Sequence, residues 1–570
     1  VKASEYVTMK RRLSGWVLAS SAMLLVMFAV MSGCGSGDAP SLGGEAAKVT
    51  PTDDPIGERL FLDTRFSQYF ATHMTGINAP LAVGDPIVAT VSTPGGVMPG
   101  PFAGKAMNCR SCHFVTEFQG VPKAGNRTYS DFVDRSPLPK AMNGFTTSPR
   151  NAMQMVGTFQ PHDGAQFLHF DGEFASGEDL VVGTMTGRNF GWGPTETAAA
   201  VAQIAAVIRG DDGSDDLAQD RTNGLSYGIL FKGTDSRIPS EILLDPALRI
   251  NVTTATDTQI VNLVATCIAQ YFKDLKFKQD QYNRYVTSPY DVFLNANHLP
   301  MQPLSGESRL AYNQRLYGQV LALTNPVYVG PADGTYAYHD FAFQFGAQEL
   351  AGLKIFLKAA AAGSGDDQHA GNCASCHGAP DFTDFAFHTT GVSQDEYDGV
   401  HGDGAFMALH VPGLAERTAN YDAYLPATSS HPDATEAMRR PAVAGNPLFA
   451  DLGLWNIYQN ADYPNPQANL KGFVCAVGQD CSVDMGLGNT IAEFKTPMLR
   501  DLVDSAPYFH NGSRATFPDV IAFYIKSSAL AKAGKLRNAP AQFANMSLSA
   551  TDTDALVAFL MSLTEDYDDA

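Results

Sequence analysis

Helical periodicity dominates the hydrophobic pattern of this chain, strand signals are sparse, and two of the amphipathic stretches occur twice. Gly57-Glu58-Arg59-Leu60-Phe61-Leu62 and Gly352-Leu353-Lys354-Ile355-Phe356-Leu357 share one pattern. Far downstream of each comes Ala-Thr-Asp-Thr, at Ala255 to Thr258 and at Ala550 to Thr553. Thr and Asp there can cap the apolar runs that follow: Ile260, Leu263, Val264 and Cys267 in the first, and Ala555, Leu556, Ala558, Phe559 and Leu560 in the second. The opening glycine and the cap aspartate are the same number of positions apart in both copies, which implies a duplicated unit. Each unit opens and closes with a helix around a long, loop-rich middle. Between the units, 276–345 reads as a connector rich in Pro, Tyr, Asn and Gly, with one helical piece near Gly306 to Leu323.

One apolar run has a different meaning. Lys10, Arg11 and Arg12 precede a stretch from Trp16 to Val30 that ends at Met31-Ser32-Gly33-Cys34. This resembles a bacterial lipoprotein signal starting at Met9, with 1–33 removed and Cys34 lipidated on its sulfur. A membrane-spanning anchor is the alternative, because the run approaches the minimum spanning length. A Gly, Ser, Pro and Ala-rich stretch follows, so 34–52 reads as a flexible tether. The expectation is a body outside the cytoplasm, in the periplasm or beyond, that meets the membrane only through an N-terminal lipid anchor. With a formal net charge of −20 over 570 residues, the chain is a poor ligand for nucleic acid and suits a basic partner.

Two of the cysteine groupings change the picture most. Cys109-Arg110-Ser111-Cys112-His113 and Cys373-Ala374-Ser375-Cys376-His377 each offer two thiols spaced for the vinyl groups of one haem. The histidine that follows can then ligate the iron. Zinc or redox dithiols are the alternative, but they leave the histidine after both second cysteines unexplained. Two covalent c-type haems are therefore expected, with His113 and His377 as proximal ligands. Cys475 and Cys481 flank a short polar loop and can pair in an oxidising compartment, whereas Cys267 lies in an apolar helical pattern as a buried thiol. The expected fold is mainly α, with two cytochrome c-like haem domains, 53–275 and 346–570, carrying long irregular insertions.

Further motifs make the chain similar to the bacterial diheme cytochrome c peroxidase superfamily, which includes the MauG-type proteins. They are Arg150-Asn151-Ala152, Phe170-Asp171-Gly172, Phe382-Thr383-Asp384 with His388, Phe494-Lys495-Thr496-Pro497-Met498-Leu499-Arg500, and Ser505 through Gly512. The resemblance runs from about Asp54 to the C-terminus. It implies that one haem is a peroxidatic site, that the other accepts electrons from a donor protein, and that one calcium ion lies between the domains. By the same resemblance Asn151, Ser505 and Pro507 are the calcium ligands, oxygen donors that suit this ion. The sixth ligand of the C-terminal haem falls at Tyr524, with Met498 as the competing choice; a phenolate would lower the potential and a thioether raise it.

At the N-terminal haem the chain departs from the family. Phe170 stands where the family has a tryptophan between the haems. Leu180 and Phe190 fall where it has the distal glutamine and glutamate. Neither replacement can move a proton. Glu178 and Glu196 are the nearby candidates for that role; His162 and His169 read as structural or surface histidines. Two functions follow. In one, an oxidoreductase of the cytochrome-c peroxidase type passes electrons from the C-terminal to the N-terminal haem to reduce peroxide or act on another redox substrate. In the other, both irons stay ligated and the chain is a non-catalytic electron carrier. Either needs a redox partner, such as a basic cytochrome or other small donor.

Overall fold

The computed structural model describes residues 54–93, 96–100, 102–113, 147–159, 164–336, 339–361, 368–475 and 483–565. All belong to one unit, Pro51–Ala570. The tether, Cys34, His162 and Cys481 lie outside the described residues. Helices dominate: among the described residues the only named strands are two short antiparallel ladders, Thr90–Thr93 with Gly96–Pro99, and Phe387–His388 with Phe494–Lys495. No helix of the described residues is long and apolar enough to cross a membrane.

The sequence repeat has a physical cause in how helices cross. In the first copy the opening helix Pro55–Leu62 packs on the closing helix Asp257–Asp274; in the second, Ala347–Leu357 packs on Thr553–Met561. A Cβ on Gly57 would lie 2.5 Å from the Cys267 carbonyl oxygen, and one on Gly352 only 1.9 Å from that of Ala555. Glycine is required at both because backbones meet there. The caps differ from the expected symmetry. Thr256 accepts from the Gln259 amide and its own amide is bonded by the Gln259 side chain, a capping box. In the second copy a 3₁₀ turn, Ala550–Asp552, comes first, and its capping box starts at Ser549, so Asp552 closes that box instead of capping its helix through its side chain.

Among the described residues the apolar interior divides into three large cores and a small one around Leu536, Phe543 and Met546. One lies within the N-terminal half around Phe61, Ile204, Leu230 and Phe272. The second joins Leu353, Phe356 and Phe559 to Tyr290, Phe293, Tyr312 and Phe345. Segment 276–345 is therefore built into the C-terminal core, through the helices Pro289–Ala296 and Arg309–Ala322. Arg500 fastens it there, with Asp291 at 2.9 Å, Glu565 at 2.5 Å and its guanidinium 3.8 Å over the Tyr285 ring. The third core gathers Trp455, Leu452, Leu454, Phe406 and Leu470 from the middle of the C-terminal unit with Phe167 and Phe170 from the N-terminal half. What reads as a loop-rich insertion thus has its own packed centre and leans on the other half.

Candidate haem sites

Both Cys-x-x-Cys-His motifs fold as one 3₁₀ turn, Cys109–Ser111 and Cys373–Ser375, and an asparagine precedes each. Asn108 accepts from the Ser111 amide at 3.0 Å and donates to the Leu62 carbonyl at 2.7 Å, which ties the turn to the end of the opening helix. Asn372, in the left-handed region, donates to the Gln542 carbonyl at 2.9 Å. In both turns the histidine amide bonds back to the first cysteine carbonyl, and none of the four motif cysteines is in a disulfide.

The histidines are oriented alike. His113 Nδ1 is 2.9 Å from the Met153 carbonyl, and His377 Nδ1 is 3.1 Å from that of Phe382. Each bond fixes Nδ1 as the donor and leaves Nε2 as the ligand atom. Burial lowers both imidazole pKa values, His113 to about 4, so both are in the neutral form a metal needs. Burial also pushes the thiols of Cys109, Cys112 and Cys373 up to about 12, opposite to the depressed values of reactive dithiols. The donor set fits a haem on each turn.

The surroundings then diverge. A cavity of about 370 Å³ opens beside the N-terminal turn, lined by Cys109, Cys112 and His113. Leu180 and Phe190 face it as well, with Phe170. The Phe170 ring lies 6.2 Å from that of His510, which stacks on Phe494 at 3.6 Å. The two distal candidates are elsewhere. Glu178 is 41% exposed and lies 3.5 Å from Lys273. Glu196 accepts from the Gly193 amide at 2.6 Å, and neither residue lines the cavity. His169 does, held 3.0 Å from Glu173.

The titratable lining comes largely from residues that sequence reasoning missed. Glu173 lies 2.7 Å from Arg439 and Arg188 lies 3.1 Å from Glu436, pairs that join the two halves of the chain. Lys495 donates to the Phe167 carbonyl at 2.7 Å, and burial lowers its pKa to about 8. Of these, Lys495 lies within the Phe494 to Arg500 motif and Glu173 directly follows Phe170-Asp171-Gly172, whereas Arg188, Glu436 and Arg439 had no sequence signal. Arg150 explains its own motif by pairing with Asp171 and Asp451, each at 2.6 Å.

Around Tyr524 the setting is apolar. Tyr524 sits on the helix Phe517–Lys532 with the Phe509 and Phe543 rings at 6.1 and 6.2 Å, and packs against Leu536 and Met546. Burial raises its phenol pKa, helped by the Cys373 and Cys376 thiols, which places the phenol within electrostatic reach of the attachment turn. Met498 belongs to the N-terminal core instead, its sulfur 3.0 Å from where a Gly157 Cβ would lie. His388 lies 2.7 Å from Asp384 and bonds the Cys376 thiol; burial opposes its charge, but these partners hold its pKa up, to about 10.

Of the three proposed calcium residues, Asn151 and Pro507 are in contact. The Asn151 side-chain amide donates to the Pro507 carbonyl at 2.9 Å and the Phe509 carbonyl at 3.0 Å, and Ser505 is buried nearby in sequence. Cys475 is disulfide-bonded.

No family model matches the chain. It is 26% identical over 195 residues to cytochrome-c peroxidase IdrP2 of Pseudomonas sp. (strain SCT), covering 34% of this chain and 36% of that protein. Cytochrome-c peroxidase IdrP1 of Denitromonas iodatirespirans is 28% identical over 180 residues, covering 30% of this chain and 41% of its own. The matched part thus spans about two fifths or less of these curated relatives. Among solved structures, a MauG-like protein associated with microbial copper homeostasis aligns over 90% of this chain and 91% of its own at 15% identity, with a TM-score of 0.41. The diheme peroxidase BthA from Burkholderia thailandensis E264 aligns over 91% of this chain and 87% of its own at 15% identity, with a TM-score of 0.40. Two Cys-x-x-Cys-His turns set in repeated helical frames thus accompany sequence similarity to curated cytochrome-c peroxidases over about a third of the chain.

Proposed function

We propose that this chain binds two haems covalently, one on Cys109 and Cys112 with His113 as iron ligand, the other on Cys373 and Cys376 with His377. One observation carries the reading. Each histidine is anchored through Nδ1 to a main-chain carbonyl, with Nε2 left to ligate, in a turn whose two cysteines form no disulfide. Bound haem supplies one-electron redox chemistry whose potential is set by axial ligand, charge and burial. Tyr524 is the sixth ligand of the C-terminal haem in this reading, favoured over Met498 because the thioether is packed in the other core. Electrons enter at the C-terminal haem and pass to the N-terminal one, whose cavity admits peroxide or another redox substrate. A pyridine haemochrome assay tests this: two covalent haems per chain are expected, and one in Cys112→Ala or Cys376→Ala. Both haems retained in either variant would contradict it.

A second reading, an electron carrier, draws on Leu180 and Phe190, which give the cavity apolar side chains where the family has an amide and an acid. Steady-state peroxide reduction separates the two, since turnover near that of an acid-assisted peroxidase excludes a mere carrier.

Calcium at Asn151, Ser505 and Pro507 belongs to the same proposal, and requires Asn151 to turn Oδ1 towards the site where its amide now donates to Pro507. Elemental analysis finding no calcium removes it. An envelope location follows from lipidation of Cys34, which palmitate labelling lost in Cys34→Ala would support and labelling retained would refute. The acidic chain suits a basic electron donor.

A further inference from the structure

Charge around the N-terminal cavity is unevenly balanced. Arg439 faces two carboxylates, Asp171 at 3.0 Å and Glu173 at 2.7 Å. Opposite in character is the group at Glu436, where one carboxylate serves two guanidiniums, Arg188 at 3.1 Å and Arg440 at 3.1 Å. Burial lowers the pKa of Arg188 and takes that of Arg440 to about 10, while the carboxylates beside Arg439 raise its pKa despite burial.

Arg188 also has unused donors. Its Nη1 is held by Glu436, but Nε and Nη2 are buried and make no hydrogen bond. These two atoms form one edge of the planar guanidinium, the edge that takes two oxygens of a carboxylate-like anion side by side. Arg188 lines the cavity, at the 3₁₀ turn Arg188–Phe190 that follows the helix Gly177–Met185. The Arg188 side chain is 20% exposed, but these two nitrogens are not, and buried donors left without an acceptor are costly unless an anion completes them.

We propose that Arg188 is an anion receptor, whose Nε–Nη2 edge binds one anionic group inside the cavity while Glu436, backed by Arg440, fixes the guanidinium. Two sources share this chemistry: a propionate of the haem attached at Cys109 and Cys112, or a small anion admitted from solution. The first source rests on the haem reading above. Because Glu436 comes from the C-terminal unit, the receptor exists only when the two halves are docked.

The test uses the full-length holoprotein with Arg188→Met, and Arg188→Gln where the first variant does not fold. Haem content, the midpoint potential of the N-terminal haem and azide binding by absorbance titration are measured. If a propionate is the anion, the potential falls in the variant, because loss of the cation favours the ferric state, and azide affinity is unchanged. If the anion comes from solution, azide binds at least tenfold more weakly. Unchanged potential and unchanged azide affinity, in protein that keeps both haems, would overturn the proposal. A wild-type chain without haem at Cys109 and Cys112 would instead overturn the haem reading. The receptor is then read by acetate calorimetry, with tenfold weaker binding in the variant supporting it and equal binding overturning it.

Discussion

The two attachment turns are near copies, yet their surroundings are opposed. At the N-terminal turn, His113 faces a cavity of about 370 Å³ with arginines, glutamates and a buried lysine in its wall. At the C-terminal turn, Tyr524 stands among Phe509, Phe543, Leu536 and Met546. The shared part, turn plus crossed helices, is what would hold a haem in the proposed reading. What lies over the turn decides whether its far side is open or closed, and that part comes from the unshared middle of each unit. Duplication of a haem frame therefore does not duplicate its chemistry.

The largest effect expected from breaking this contrast is catalytic. Phe190→Glu with Leu180→Gln puts an acid and an amide into the N-terminal cavity, and peroxide turnover should rise by about 10²–10⁴-fold, the gain typical of a positioned acid–base group. No gain would mean that neither position reaches the reacting oxygen. Next comes the assignment of Met498 to the N-terminal side. Met498→Ala should cost ~2–5 kcal/mol of stability through the cavity it leaves, with the C-terminal haem spectrum unchanged. A changed C-terminal spectrum would return Met498 to the ligand list.

The smallest effect concerns the seam between the halves. Glu493 precedes the Phe494–Lys495 strand, and burial pushes its carboxyl up to about 8, moderated by His388. A carboxyl whose pKa is raised in the fold binds its proton more tightly there than in the unfolded chain. Stability is thus lost as pH rises from 4.5 through about 8. Glu493→Gln should remove that slope, leaving the variant more stable than wild type at pH 8 and matching it in acid. Parallel melting curves across this range would show that Glu493 is solvated.

What could be read from the sequence was local. The haem turns are five consecutive residues, and the repeat at Gly57 and Gly352 records a contact in which backbones touch, which tolerates no other residue. The third core was hidden because Trp455, Leu452 and Leu470 follow no single helical or strand period and pack partly on Phe167 and Phe170 from the other half. For the same reason the charged wall of the cavity escaped notice. Arg188 and Glu436 are 248 positions apart and Glu173 and Arg439 266 apart, with no spacing to betray them. Looking close to the distal positions led instead to Glu178 and Glu196, whose side chains are occupied with Lys273 and with the Gly193 amide. Tyr524 and the calcium trio rest on the resemblance alone, because they assign one site to distant parts of the chain.

The central claim, one open and one closed haem, is tested most directly by titrating the dithionite-reduced protein with carbon monoxide and counting the ligand bound per chain. One carbon monoxide per two haems is predicted, lost in Cys112→Ala and raised to two per chain in Tyr524→Phe. None bound would establish a carrier with both irons ligated, and two bound by the unmodified protein would show that Tyr524 does not close the C-terminal site.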